Sequence, residues 1–146
     1  MGNICRSPAA ECLMRDALKE RNLSHAFVLD SAGTGGWHVG NKPDKRMRAA
    51  AKAVGRTIDG AARQVCENDF NNFDWIFCMD NDNYANLLAM GANPEKTHLL
   101  LEFVEHRAVR EVPDPYYGGS GGFRDVIALI DGAVCDLIDA LHTTTP

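Results

Sequence analysis

Residues 1–8 read Met-Gly-Asn-Ile-Cys-Arg-Ser-Pro, and their order suits the binding of an oxyanion. Gly2 and Asn3 open a small loop, Arg6 brings a planar, always-charged fork, and Ser7-Pro8 marks a helix start. Serine is a favoured N-cap, and proline fits the first helical position because its missing N–H would be unpaired there anyway. Free N–H groups and the helix dipole at such an end favour an anion, and the guanidinium matches phosphate oxygens. Gly2, Asn3, Ile4, Cys5, Arg6 and Ser7 are therefore a candidate oxyanion cradle. The competing reading is a capped helix with an unrelated arginine.

A second chemically dense stretch is residues 111–122, which hold Asp114 between Pro113 and Pro115, then Tyr116 and Tyr117, then four glycines. Irregular segments of about 12 residues in a compact domain are often functional. Two prolines around a carboxylate suit a group that must be placed accurately. Between these stretches lies Asp-Ser-Ala-Gly-Thr-Gly-Gly at 30–36, from which Ser31 can reach across to the first loop. Trp37 follows; by itself an isolated tryptophan reads as a packing anchor.

The elements that must position these groups alternate in type. Apolar residues Ala10, Leu13, Met14, Ala17 and Leu18 fall on one stripe of a helix over 8–22. A short apolar run at 25–29 predicts a buried strand ending at the glycine-rich loop, the edge where open α/β sheets bind ligands. Pro43-Asp44 caps an Ala-rich helix over 45–54 that Gly55 closes. Residues 74–79 predict a core strand with Asp80 at its ligand-side end, then a helix through Met90. The Leu-rich run at 97–101 fits a strand better than a helical turn, and 123–141 is an amphipathic closing helix before a frayed tail at 143–146. Alternation of this kind means parallel strands with right-handed crossovers in a single domain spanning 1–146.

Composition narrows the function. A net charge of −5 argues against nucleic acid as the main partner. No apolar run approaches the length of a membrane span, and no signal peptide opens the sequence. Cys5, Cys12, Cys66, Cys78 and Cys135 are odd in number and widely spaced, which makes neither a disulfide framework nor a zinc site. Reduced thiols in a cytoplasmic protein without metal or other cofactor are the expectation.

The loop Gly2-Asn3-Ile4-Cys5-Arg6-Ser7-Pro8 resembles the signature C-x-G-N-I-C-R-S-P of the low-molecular-weight protein tyrosine phosphatases. The resemblance continues, in the family's order, through Asp30-Ser31-Ala32-Gly33-Thr34, Trp37-His38-Val39-Gly40, Ala62-Arg63-Gln64, the run from Phe73 to Asp80, and Asp114-Pro115-Tyr116-Tyr117-Gly118. It implies an α/β three-layer sandwich with a small, Rossmann-like parallel sheet of four strands. It also implies hydrolysis of aryl phosphate monoesters, phosphotyrosine proteins above all, through a phosphocysteine intermediate. Arg6 and the loop amides would bind phosphate, Ser7 would donate to the departing thiolate, and Asp114 would be the general acid. Trp37, Tyr116 and Tyr117 would wall an aromatic slot, and Ser31 would support Asn3. Where the family has a histidine that shares this support, Gly60 stands here, which leaves Asn3 one partner fewer.

The family's nucleophilic cysteine lies two residues before the glycine, a position that precedes Met1, and the first strand of the family fold lies before it. The expectation for residues 1–146 alone is therefore an inactive chain lacking a central strand. Such a chain would rearrange, borrow a strand from a second copy as a homodimer, or associate through an open edge. A start set downstream of the true one explains the same fact, since Met1 matches the variable residue of the motif. For Cys5 the resemblance implies a redox partner of the nucleophile rather than the nucleophile itself. Two rival functions stand beside the phosphatase: a non-catalytic phosphate- or phosphotyrosine-binding module, and a thioredoxin-linked arsenate reductase. The second needs two further closely spaced cysteines, and Cys78 has no companion before Cys135.

Overall fold

The structure, a computed structural model, describes residues 2–104, 109–115 and 120–144. Helix α1 (Arg6–Glu20) buries Ala9, Cys12, Leu13, Ala17 and Leu18. It begins two residues earlier than the Ser-Pro signal predicts: Cys5 is the N-cap, and Ser7 and Pro8 lie inside the first turn. No N–H in that turn has an acceptor four residues back, so proline is as well tolerated there as at the first position. The helix ends when Asn22 turns left-handed, at φ 57°. Leu23 N–H then reaches back to the Leu18 carbonyl at 2.8 Å, and Asn22 N–H to that of Lys19 at 3.1 Å, a Schellman closure.

The strand expected at 25–29 does not form. Ser24–Ala26 is a single 3₁₀ turn, and the chain then runs extended from Phe27. Phe27 and Leu29 turn inward against the core while Val28 is 85% exposed, so the side chains alternate as in a strand. A strand needs a partner about 4.8 Å away. Here Phe27 to Asp30 and Ile76 to Met79 instead line one cleft of about 760 Å³. Among the described residues the ladder contact of this region is a parallel bridge between Gly33 and Gln64, made by Gly33 N–H to Arg63 O and Val65 N–H to Gly33 O, both 2.9 Å.

Helix α2 (Lys45–Ala53) starts at Asp44, whose side chain accepts from Arg46 N–H, and closes at Gly55, where φ is +76°. A short helix α3 (Glu67–Asn72) follows that hydrophobic periodicity does not reveal in six residues. Strand β1 (Ile76–Cys78), helix α4 (Asn81–Ala89) and strand β2 (Thr97–Leu99) form one parallel crossover unit, with Phe77 opposite His98. Among the described residues the sheet holds these two strands; of the family fold's four, the first was expected to lie before Met1, and the run at 25–29 does not pair. Residues 100 and 101, expected within the strand, instead begin a 3₁₀ turn over Leu100–Phe103. Helix α5 (Ser120–Thr144) is longer than expected and takes in residues placed in the preceding loop and in the tail.

Helices cover both faces of the sheet. On one side α1, α2 and α5 enclose the larger core, where Leu13, Met47, Ile130, Val134 and Ile138 are all but inaccessible. On the other, α3 and α4 close a smaller cluster of Phe70, Leu87, Cys78 and Leu99. Ile130 is 0% exposed at the centre of the larger core. Ile130→Ala leaves a cavity there and should cost about 2–5 kcal/mol, read as a lower denaturant midpoint. No helix of the described residues is long and apolar enough to cross a membrane.

Candidate active site

The loop ahead of α1 is tied to three other parts of the chain. Gly2 passes so close to His38 that a Cβ on it would sit 2.4 Å from the ring, which excludes a larger residue without a shift. Asn3 is left-handed at φ 62°, a conformation that asparagine tolerates better than most residues. Its side chain fixes that turn from both ends: Nδ2 donates to Ser31 Oγ at 3.0 Å, and Oδ1 accepts from Arg63 N–H at 3.0 Å. Ile4 carbonyl accepts from Asp44 N–H at 2.6 Å, which ties the loop to the start of α2. The Ser31 contact is the one expected. Arg63 N–H is a second support, so the absence of a histidine at Gly60 does not leave Asn3 with Ser31 alone.

Arg6 is 4% exposed and leads into α1 from the loop. Nη1 donates to Asp80 Oδ2 at 2.6 Å and to the Val112 carbonyl at 2.7 Å, and Nη2 stands 3.7 Å from Asp114 Oδ2. Asp80 also caps α4, accepting from Asn83 N–H at 2.8 Å. Burial pushes the Asp80 carboxyl up, but the Asn83 amide and the Arg6 guanidinium outweigh it and hold the group below the usual carboxylate range. Val112 N–H in turn bonds the Met79 carbonyl at 2.7 Å, pinning the segment that carries Asp114 to the end of β1. The loop, the helix N-terminus and both aspartates thus meet at the C-terminal edge of the sheet, where the sequence placed them.

The other expected residues divide. Trp37 is 71% exposed near this edge and folds back over Gly35, where a Cβ would overlap its ring. Ser7 is half-buried in the first turn of α1. Tyr116 and Tyr117 lie outside the described residues. Cys5 is buried, and burial with the nearby Asp44 and Asp114 charges pushes its thiol up to about 12. A thiol so raised is un-ionised at neutral pH and is a poor nucleophile. Asp80 was legible as a ligand-side residue but not as the partner of Arg6. Its signal was an Asp following a strand and opening a helix.

A short loop running into a helix N-terminus with a buried arginine, at the C-terminal edge of parallel strands, is an arrangement suited to an oxyanion ligand. The profile of the family described as low molecular weight phosphotyrosine protein phosphatase matches residues 1–145. The low molecular weight protein-tyrosine-phosphatase YfkJ of Bacillus subtilis is 42% identical over 133 residues, 89% of this chain and 84% of that protein. Its crystal structure superposes with a TM-score of 0.93 at 38% identity, covering 100% of this chain and 92% of that one. A protein tyrosine phosphatase from Entamoeba histolytica, crystallised with Hepes in its active site, also gives 0.93, at 42% identity over 98% of this chain and 93% of that one. The chain belongs to the low-molecular-weight phosphotyrosine protein phosphatase family.

Proposed function

We propose that Gly2 to Ser7 bind the phosphate of a phosphotyrosine side chain for transfer to a cysteine thiolate placed two residues before Gly2. The observation that carries this is Arg6: a buried guanidinium held on one edge by Asp80 and the Val112 carbonyl, with Nη2 3.7 Å from Asp114. The loop amides and Arg6 would hold the non-bridging oxygens and tighten as charge spreads over them in the transition state. The thiolate forms the S–P bond while the P–O bond to the phenol breaks, and Asp114 passes its proton to the departing phenolate oxygen. In the second step Asp114 takes a proton from water, which attacks phosphorus and releases phosphate. Ser7 O–H would donate to the thiolate as the S–P bond breaks. Trp37, with Tyr116 and Tyr117, would form the walls that select a flat aryl ester.

Five free cysteines among residues 1–146 suit a reducing compartment, and we place the protein in the cytoplasm. The test is hydrolysis of p-nitrophenyl phosphate by a form extended upstream with an apolar strand ending in that cysteine, against residues 1–146 alone. The extended form should turn over and the shorter one should not, because Cys5 is un-ionised. Arg6→Lys in the extended form keeps the charge but loses the fork, and should lower kcat by about 10²–10³-fold. Equal rates with and without the added cysteine would contradict the assignment of the nucleophile.

A further inference from the structure

We infer that Glu11 is a positioning residue for the oxyanion cradle, acting through Ser31 on the left-handed turn at Asn3. This rests on the phosphatase reading of Gly2 to Ser7 and extends it to a group about one helical turn away that touches no ligand.

The chain of bonds is continuous. Asn3 Nδ2 donates to Ser31 Oγ at 3.0 Å, so the Ser31 oxygen is an acceptor on that side. A hydroxyl has one proton, and Ser31 sends it to Glu11 Oε1 at 2.8 Å. A charged acceptor strengthens that bond and polarises the hydroxyl, which makes Ser31 a better acceptor for the Asn3 amide. Glu11 is itself held: its Oε2 takes Arg15 Nη2 at 2.6 Å, and Arg15 Nη1 reaches Asp59 Oδ1 at 3.2 Å. Asp59 immediately precedes Gly60, the residue that stands where the family's supporting histidine does. The support of Asn3 through Ser31 therefore runs to α1, with Arg15 supplying the cation, beside the separate bond from Arg63 N–H.

An i,i+4 Glu–Arg pair on a helix is ordinarily a surface feature of little consequence. Glu11 departs from that pattern because its side chain is only 17% exposed and its second oxygen is committed to Ser31, 20 residues along the chain. Without Glu11 the Ser31 hydroxyl is free to turn its proton toward Asn3. The amide then meets a donor instead of an acceptor, and the turn that aims the loop N–H groups loses one of its two clamps.

The test is inorganic phosphate binding to residues 1–146 by titration calorimetry, with melting of each variant in phosphate-free buffer as the check on folding. Glu11→Ala should weaken phosphate about tenfold, the worth of one hydrogen bond at the upper end of its range. Ser31→Ala should weaken it similarly, and the double variant should be no weaker than the worse single one, since both break the same relay. Glu11→Gln keeps an acceptor for Ser31 and should stay within about threefold of the parent. Arg6→Ala is the control for the cradle itself. If Arg6→Ala abolishes binding while Glu11→Ala binds like the parent, or if the Glu11 and Ser31 losses simply multiply, the relay is wrong and the cradle stands. If Arg6→Ala also binds normally, the cradle reading falls and the relay falls with it.

Discussion

Asp114→Asn, made in the form that carries the upstream cysteine, should slow turnover of phenyl phosphate by about 10²–10⁴-fold, the usual worth of a general acid. The loss arises because a phenolate with a high pKa cannot leave without a proton, and asparagine has none to give. p-Nitrophenol leaves readily as an anion, so its ester should lose much less. The same substitution removes a negative charge 3.7 Å from Arg6 Nη2. Wherever that carboxylate is ionised, phosphate should bind more tightly to the variant even as chemistry slows, so that KM and kcat both fall. Steady-state kinetics over a series of substituted phenyl phosphates checks both effects. Equal losses for good and poor leaving groups would remove Asp114 from the acid role.

The second large effect is on stability. Asp80→Ala should cost about 3 kcal/mol, because the Arg6 side chain, 3% exposed, keeps its charge and loses its nearer counter-ion, leaving Asp114 at 3.7 Å. Loss of the Asp80 cap on Asn83 N–H adds about 1 kcal/mol. A bound dianion would restore the missing charge, so phosphate should raise the melting temperature of the variant more than that of the parent. Asp80→Asn retains an oxygen for Asn83 and a neutral acceptor for Arg6, and should lose less. The pH dependence follows from the lowered carboxyl pKa. The stabilisation from Asp80 is full above the ordinary carboxylate pKa and is lost as pH falls through the depressed one. Denaturant unfolding at neutral and acidic pH, with and without phosphate, measures all three. An Asp80→Ala protein as stable as the parent would show that Arg6 does not depend on this pair.

What could be read before the fold was known follows from how local each signal is. α1 and α5 carry long apolar stripes, so their existence was clear from the sequence and their ends were not, whereas α2 was legible from Asp44 and Gly55 at its two ends. The Ser7-Pro8 signal set the start of α1 two residues late because a proline is compatible with several first-turn positions. Strands of three residues leave too little period to separate strand from turn, which is why 100–101 and 25–29 were misassigned. For 25–29 the alternation of Phe27, Val28 and Leu29 is strand-like, and what is missing is a partner at hydrogen-bonding distance, a property no local pattern encodes. The cradle was legible because Gly2 to Pro8 is contiguous and each residue type has a known role at a helix start. Asp80 lies 74 residues from Arg6, and Ser31 lies 20 from Glu11. The first pairing exists because the end of β1 lies beside the first loop and the second because the chain after Phe27 runs back past α1, so both needed the topology.

The central claim is that Gly2 to Ser7, with Arg6, is the phosphate site, and amide NMR of residues 1–146 during a phosphate titration tests it most directly. The N–H resonances of Gly2 to Ser7 should shift together and saturably, and Arg6→Ala should abolish those shifts while leaving the rest of the spectrum in place. Saturable shifts centred elsewhere, or shifts of the loop amides that persist unchanged in Arg6→Ala, would contradict it.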